Sequence, residues 1–367
     1  MARQIDADRA DDIGAPADWP ASIRDVARRA RVSPGTVSKV LNNTGAMAPA
    51  TRERVLRASE ELAYRPNELV RGIFRRRSFT VGLLTSDSFG RFSGPIMAGI
   101  EDALGQLSFS IIVCDSRGDP RREARHLDSL LGHRVDGLIV TGRCSNLRPP
   151  VAETLPFPVV YAHTPSADAA DVSITVDDDE AGRLAAEHLV AIGRRHIAHI
   201  TGPEDFDAVR RRERGFRLSL ADHGLDPAGP VWSGYWCEAW GRQAARRLID
   251  SAHAVDAIYC GSDLLARGVI DALREAGRSV PDDVAIVGTD NWSLMARAAR
   301  PPLTTVDLNL HEVGQRAARA LVSAIDGHSE PGLHPVPATL VIRASTGLPF
   351  DDPDLDRPGR YHESCIH

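Results

Sequence analysis

No apolar run in this chain of 367 residues approaches the roughly 18 residues of a membrane span. The opening MARQIDADRADDIGAPADW is acidic and lacks the basic-then-apolar order of a secretory signal, so the expected location is the cytoplasm, with no membrane partner. Cysteine is scarce and scattered. Cys114, Cys144, Cys237, Cys260 and Cys365 are odd in number and form no CxxC pair, which argues against a disulfide framework and a zinc site. The first four read as buried reduced thiols. No GxSxG, HExxH, GxxxxGK[ST] or GxGxxG occurs. The run HIAH (196–199) reads as an alternating strand, and DDDE (177–180) as carboxylates at a helix start rather than a metal site. No enzyme and no cofactor are expected. Lysine is rarest of all: Lys39 is the only one.

What is present is ordinary globular material, 43% hydrophobic and 26% charged, enough for a large core in two or more lobes. Its charge is unevenly placed. Between Ala21 and Arg77 thirteen Lys and Arg face five Asp and Glu, a net +8, which leaves −14 for the rest of a chain whose total is −6. A basic module on an acidic body suits a polyanion, because each cation set near a phosphate releases condensed counterions.

Within that module the stretch VSPGTVSKVLN, Val32 to Asn42, opens a helix on Pro34 and Gly35 behind a potential cap, Ser33. Glycine costs roughly 1 kcal/mol against alanine in a helix interior, so its presence calls for a reason. Ser22 can cap a preceding helix with Ile23, Val26, Ala27 and Ala30 on one face, and Val37, Val40 and Leu41 form the inner face of the second. Two short helices joined by a three-residue turn make a helix-turn-helix. A third, ATRERVLRASEELAY, puts Val55, Leu56, Ser59 and Leu62 at helical spacing before RPN ends it. The second helix of this motif enters the major groove N-terminus first, and Pro34 and Gly35 then form a thin tip that lets backbone N–H groups approach phosphate.

The blocks SIRDVARRARVSPGTVSKVLN and TRERVLRASEELAYRPN, in order and at this separation, resemble the DNA-binding headpiece of the LacI/GalR family of bacterial transcription repressors. The resemblance continues through GHRVDGLIV, GPEDFDAVRRRERGF, VAIVGTDN and RPPLTTV, and spans roughly residues 21 to 349. It implies double-stranded operator DNA as partner and a homodimer. The DNA-contacting set it implies is Ser22, Ser33, Pro34, Gly35, Thr36, Ser38, Lys39, Asn42, Arg71 and Ile73. Arg71 and Ile73 fall in the hinge NELVRGIFRRRS, which in the family becomes helical on DNA and wedges a leucine into the minor groove; Ile73 matches that wedge.

The core also reads without the family. VGLL (81–84), SIIVC (110–114), GLIV (137–140), PVVYA (158–162), IAHI (197–200), AIYC (257–260) and VAIVG (284–288) alternate with amphipathic helical segments, the mark of parallel sheets in βαβ units. The fold class is α/β, a three-helix headpiece and a core of two doubly wound lobes, and the family resemblance implies that this core is like that of periplasmic binding proteins. The expected division is a tail at 1–20, the headpiece at 21–66, the hinge at 67–78, a first lobe from 79–177 and 306–330, a second from 178–305 and 331–349, and a tail at 350–367.

Ligands of open α/β sheets bind beyond the carboxyl ends of the strands. Arg212 is there a fork donor, Asp290 an acceptor from hydroxyl pairs and Trp236 a flat apolar face. Each has a plainer reading: a surface charge in RRRER, a helix cap, a core residue. The resemblance places all three at effector-contacting positions, with Phe92 beside them; His163 and Ser262 stand in the same set where many members have Asp or Asn, and Leu310 where some sugar-responsive members have an aromatic. The expected effector is a small molecule, a sugar first; a purine or other metabolite is the alternative, and a solute-binding protein without DNA function the more distant one. The tail DDPDLDRPGRYHESCIH has no apolar heptads, so a dimer without tetramers is expected.

Overall fold

The computed structural model describes residues 21–41, 44–45, 47–64, 77–87, 90–251 and 253–347. Asn42, Arg71, Ile73, Cys365, most of the hinge and both tails lie outside the described residues. The chain divides into two compact units, residues 1–78 and 79–367.

The first unit contains helices α1 (Ile23–Ala30), α2 (Pro34–Leu41) and α3 (Pro49–Glu61). Asp25 closes back over the start of α1: the backbone N–H and the hydroxyl of Ser22 both donate to its Oδ2, at 2.9 and 2.6 Å. Arg31 ends the helix in the left-handed region at φ 54°. Val26, Ala27, Ala30, Val37, Val40, Val55 and Ala58 close a small core. Leu56, expected inside, is 41% exposed, because Val55, Ala58 and Ser59 take the inner stripe and residue 56 stands about 100° off it.

The second unit holds two six-stranded sheets. All seven expected core strands form: β1 (Thr80–Thr85), β2 (Ser110–Asp115), β3 (Gly137–Thr141), β4 (Val159–Ala162), β6 (Ile197–Thr201), β8 (Ala257–Cys260) and β9 (Ala285–Thr289). Five more join them: β5 (Val172–Val176), β7 (Trp232–Ser233), β10 (Thr304–Asp307), β11 (Gly332–Val336) and β12 (Thr339–Val341). The sheets run β11-β5-β4-β3-β1-β2 and β12-β10-β9-β8-β6-β7, parallel throughout except for β12 against β10. The lobe boundaries expected near 306 and 331 therefore shift. Thr304–Asp307 pairs with β9 in the second sheet, and Gly332–Val336 pairs with β5 in the first. The reason is legible only in three dimensions: GLHPV shows no alternation and carries Pro335, which an edge strand tolerates.

Helices α4 (Ser93–Gly105), α5 (Pro120–Gly132), α6 (Asp178–Ala191), α7 (Asp207–Asp222), α8 (Glu238–Asp250), α9 (Asp263–Glu275), α10 (Ser293–Ala296) and α11 (Leu310–Ile325) complete the unit. Three pairs among them meet backbone to backbone. Gly99 and Gly314 face each other's helices across α4 and α11, Gly182 and Gly215 across α6 and α7, Gly241 and Gly268 across α8 and α9. A Cβ at any of the six would overlap a carbonyl oxygen of the partner helix. In the middle pair this approach brings Asp178, first residue of α6, to Arg212 on α7.

Candidate functional site

In the headpiece, Ser33 Oγ accepts the Thr36 backbone N–H at 3.1 Å and lies 2.9 Å from the Thr36 hydroxyl, so both residues serve the start of α2. Val37 and Val40 face the core, whereas Ser33, Pro34, Gly35 and Lys39 are exposed and Thr36 and Ser38 half-buried. A Cβ on Gly35 would meet only Ser33 Oγ, at 3.8 Å. Packing within the headpiece therefore does not require glycine there. Gly35→Ala should leave the headpiece as stable or more stable, by up to about 1 kcal/mol, yet weaken operator binding; equal operator affinity in a gel-shift titration would remove the thin-tip explanation.

In the core, the loops after β1 and β9 meet across the lobes. Asp290 and Asn291 both sit at positive φ, 105° and 46°, and turn the chain sharply as it leaves β9. Around them lies a cavity of about 150 Å³, walled by Arg91, Phe92, Pro95 and Leu310 from the first lobe and by Asp290, Asn291, Trp292 and Ser293 from the second. Arg91 Nη1 pairs with Asp290 Oδ2 at 2.9 Å, and its guanidinium lies 4.5 Å from the Phe92 ring centroid and 5.8 Å from that of Trp292. The pair is ionic in distance, but neither Asp290 oxygen accepts a well-formed hydrogen bond among the described residues. Burial raises the Asp290 pKa, against the opposing pull of Arg91 and Arg212. Asp263 beside it accepts from the Thr305 hydroxyl at 2.6 Å and the Trp292 N–H at 2.7 Å; burial, then the Asp290 charge, push its pKa well up.

Arg212 is only 4% exposed. Its Nε donates to Asp178 Oδ1 at 2.8 Å and its Nη1 to the Gly261 carbonyl at 2.7 Å. Burial works against its charge, but Asp178 and Asp290 outweigh burial and hold its pKa above the usual arginine value. Asp178 also accepts from the Ser145 hydroxyl of the first lobe at 2.9 Å, and Asn146 bonds Asp205 and Asp207 of the second, so three contacts tie the lobes here. The DDDE run thus divides: Asp177 caps α6 by accepting the Glu180 N–H, as a helix-start carboxylate should, while Asp178 is a buried partner of Arg212.

His163 lies at φ 69° with its ring stacked on Phe92, centroids 5.2 Å apart, and neither ring nitrogen finds a partner among the described residues. Burial lowers its pKa to about 4. His199, stacked on Tyr259 at 4.6 Å, is likewise pushed down to about 4 by burial. Each is a base whose folded pKa lies below 6.5. The stability it contributes is complete above pH 6.5 and is lost as pH falls toward 4, by about 1.4 kcal/mol per histidine at pH 5.5. His163→Phe should flatten that acid limb in thermal unfolding at pH 7.5 against 5.5; an unchanged limb would contradict its burial as a neutral ring.

Two expected cleft residues stand elsewhere. Trp236 does not line the cavity: it packs partly buried against the second lobe's core, edge-on to Phe206 at 5.9 Å and flat over Gly202, where a Cβ would overlap it. Ser262 is fully buried as the cap of α9, its hydroxyl accepting the Leu265 N–H at 3.3 Å. Arg91 and Asp178 were missed from sequence. A signal for Arg212 existed, since Val209, Arg212, Phe216 and Leu220 recur on one helical face and all are buried; nothing comparable marks Arg91.

Comparison with known proteins follows the same division. The family model for bacterial regulatory proteins of the lacI family matches residues 22–67, and that for a periplasmic binding protein-like domain matches 186–346. The chain is 32% identical over 334 residues to the HTH-type transcriptional repressor PurR of Aliivibrio fischeri (strain MJ11), covering 89% of this chain and 98% of that one. It is 35% identical over 330 residues to the HTH-type transcriptional regulator CelR of Thermobifida fusca, with 87% and 96% covered. Among solved structures, a lac repressor dimer bound to operator and the anti-inducer ONPF superposes with a TM-score of 0.74 at 27% identity, over 89% of this chain and 99% of that one. A chain that carries both modules and aligns with such relatives along nearly their whole length belongs to the lacI family of bacterial transcriptional regulators.

Proposed function

We propose that this chain is a dimeric, sequence-specific DNA-binding repressor whose operator affinity is set by a small molecule held between the lobes of its core. The observation that carries this reading is the pairing, on one chain, of a helix with an exposed Pro34–Gly35–Lys39 edge and a cleft where buried charges from both lobes converge. Each half of the dimer places α2 in one half-site, so the operator is a near-palindrome. Ser22, Thr36, Ser38 and Lys39 meet phosphates and base edges, and Asn42, Arg71 and Ile73 extend the contact as the family pattern implies. Phe92, Asp290, His163 and Arg212 form the effector set; Arg91 joins it, and Trp236 and Ser262 support the second lobe rather than touch ligand.

Asp290, held by Arg91 in an ionic contact but accepting no well-formed hydrogen bond among the described residues, suits hydroxyl or N–H donors, which favours a sugar or another donor-rich metabolite. Among the relatives are ribose operon repressors, and a transcriptional regulator CelR has been solved in complex with cellobiose. Catalysis forms no part of the reading. No helix among the described residues is long and apolar enough to cross a membrane. The test is a gel shift of the purified chain on its own promoter region with and without a panel of sugars and purines. Selective binding that one compound changes supports the reading; binding to no fragment would leave a solute-binding protein.

A further inference from the structure

The cavity at Asp290 is too small for an ordinary ligand. At about 150 Å³ it has half the volume or less of typical small-molecule pockets, roughly 300 Å³ upward. Arg91 is one of its walls and reaches across it. The Arg91 guanidinium, planar and 16% exposed, lies over the Phe92 ring at 4.5 Å and 5.8 Å from the Trp292 ring, with its Nη1 on the Asp290 carboxylate. An aromatic face on one side, a second aromatic nearby and a buried acceptor at the end make a slot for a flat group that carries N–H or O–H donors. The Arg91 side chain comes from the first lobe and Asp290 from the second, so the group in the slot also spans the lobes.

We infer that Arg91 is a tethered occupant of the effector cleft: its guanidinium holds the ligand's place between Phe92 and Trp292, latches the first lobe to Asp290, and must be exchanged for ligand donors when effector binds. This rests on the reading of the cleft as the effector site. Arg91 is thereby a specificity-determining residue, since only a ligand whose donors replace the guanidinium on Asp290 avoids leaving that carboxylate buried and unpaired. A ligand of that kind carries paired donors on a flat or ring-shaped face, and one bearing only acceptors is excluded.

The test is chemical rescue in the full-length protein. Arg91→Ala is prepared and amide hydrogen exchange is followed in the segments 91–95 and 290–293, with and without millimolar methylguanidinium. Exchange in both segments should accelerate on the order of tenfold in the variant, while the strands β1 and β9 keep their protection. Methylguanidinium should restore slow exchange and raise the melting temperature of Arg91→Ala, and do neither to the wild type. Unchanged exchange in the variant, loss of protection throughout the core, or a variant indifferent to methylguanidinium each overturns the latch. Operator binding is measured alongside. A wild-type chain that ignores operator DNA defeats the regulatory reading without touching the exchange result, so the two failures remain distinct.

Discussion

Arg212→Ala is expected to lower the unfolding free energy of the core by about 3–5 kcal/mol, as removal of one partner from a buried ion pair does. A surface arginine in a run such as RRRER would cost a few tenths. The difference lies in what Arg212 leaves behind: Asp178, 1% exposed, loses the Nε donor at 2.8 Å, and the Gly261 carbonyl loses its donor at 2.7 Å. Neither has a way to water. Arg212→Ala/Asp178→Ala should be less damaging than the sum of the two single changes, by about 1–3 kcal/mol, because the second substitution removes the charge stranded by the first. Chemical denaturation of the four proteins completes the cycle; additivity, or a cost for Arg212→Ala below about 1 kcal/mol, would show the pair to be incidental. An arginine that only touched ligand would be silent in this measurement. Arg212 thus holds the α6–α7 contact together through Asp178 and the Gly261 carbonyl.

Lys39→Ala is expected to reduce operator affinity by about 1–3 kcal/mol and to relax preference at one base pair, a guanine contact being the ordinary use of a lysine in the major groove. Pro34 and Gly35 have no side-chain hydrogen bonds to offer, and Ser33 and Thr36 are engaged with each other at the helix start. Discrimination then falls on Lys39 and Ser38. Lys39 is exposed on α2 opposite the buried Val37 and Val40, so its loss takes nothing from the headpiece core. Competition titrations at fixed salt, operator against random duplex, separate the two possible contacts. A larger loss on operator supports base readout. Equal losses on both would make Lys39 a phosphate contact and move readout to Ser38.

The headpiece was legible because everything that builds it is local. Ser22 and Asp25 cap within one turn, and the buried stripe of α1 follows the helical period over eight residues. The seven core strands were legible for the same reason, as apolar runs bounded by polar loops. Of the five strands that escaped, β7 has two residues, β11 holds a proline at a sheet edge, and the interior β5 and β10 interrupt their apolar residues with Ser and Thr. The site was read in part. Phe92 and Asp290 wall the cavity, His163 stacks on Phe92 without lining it, and Arg212 lies within electrostatic reach of His163 and Asp290. Arg91 could not be read, because its meaning is its partner 199 residues away across two lobes; one charged residue in a glycine-rich loop carries no periodicity and no spacing. Ser262 and Trp236 show the converse. Their positions match a ligand-contacting pattern, but a helix start claimed one hydroxyl and a glycine-floored pocket claimed the other's ring.

The central claim is that the cleft governs the headpiece, and the most direct measurement of it is operator affinity in the presence and absence of a compound that binds the core. Sugars and purines that raise the melting temperature of the full-length protein are first identified, since a ligand of the folded state stabilises by mass action. Fluorescence anisotropy of labelled operator is then recorded at fixed salt, with and without saturating ligand, for the wild type and for Asp290→Asn. The account predicts a change in wild-type operator affinity of about 5- to 150-fold, in either direction, and its disappearance in Asp290→Asn while affinity without ligand is kept. A compound that stabilises the core yet leaves operator affinity unchanged would contradict it.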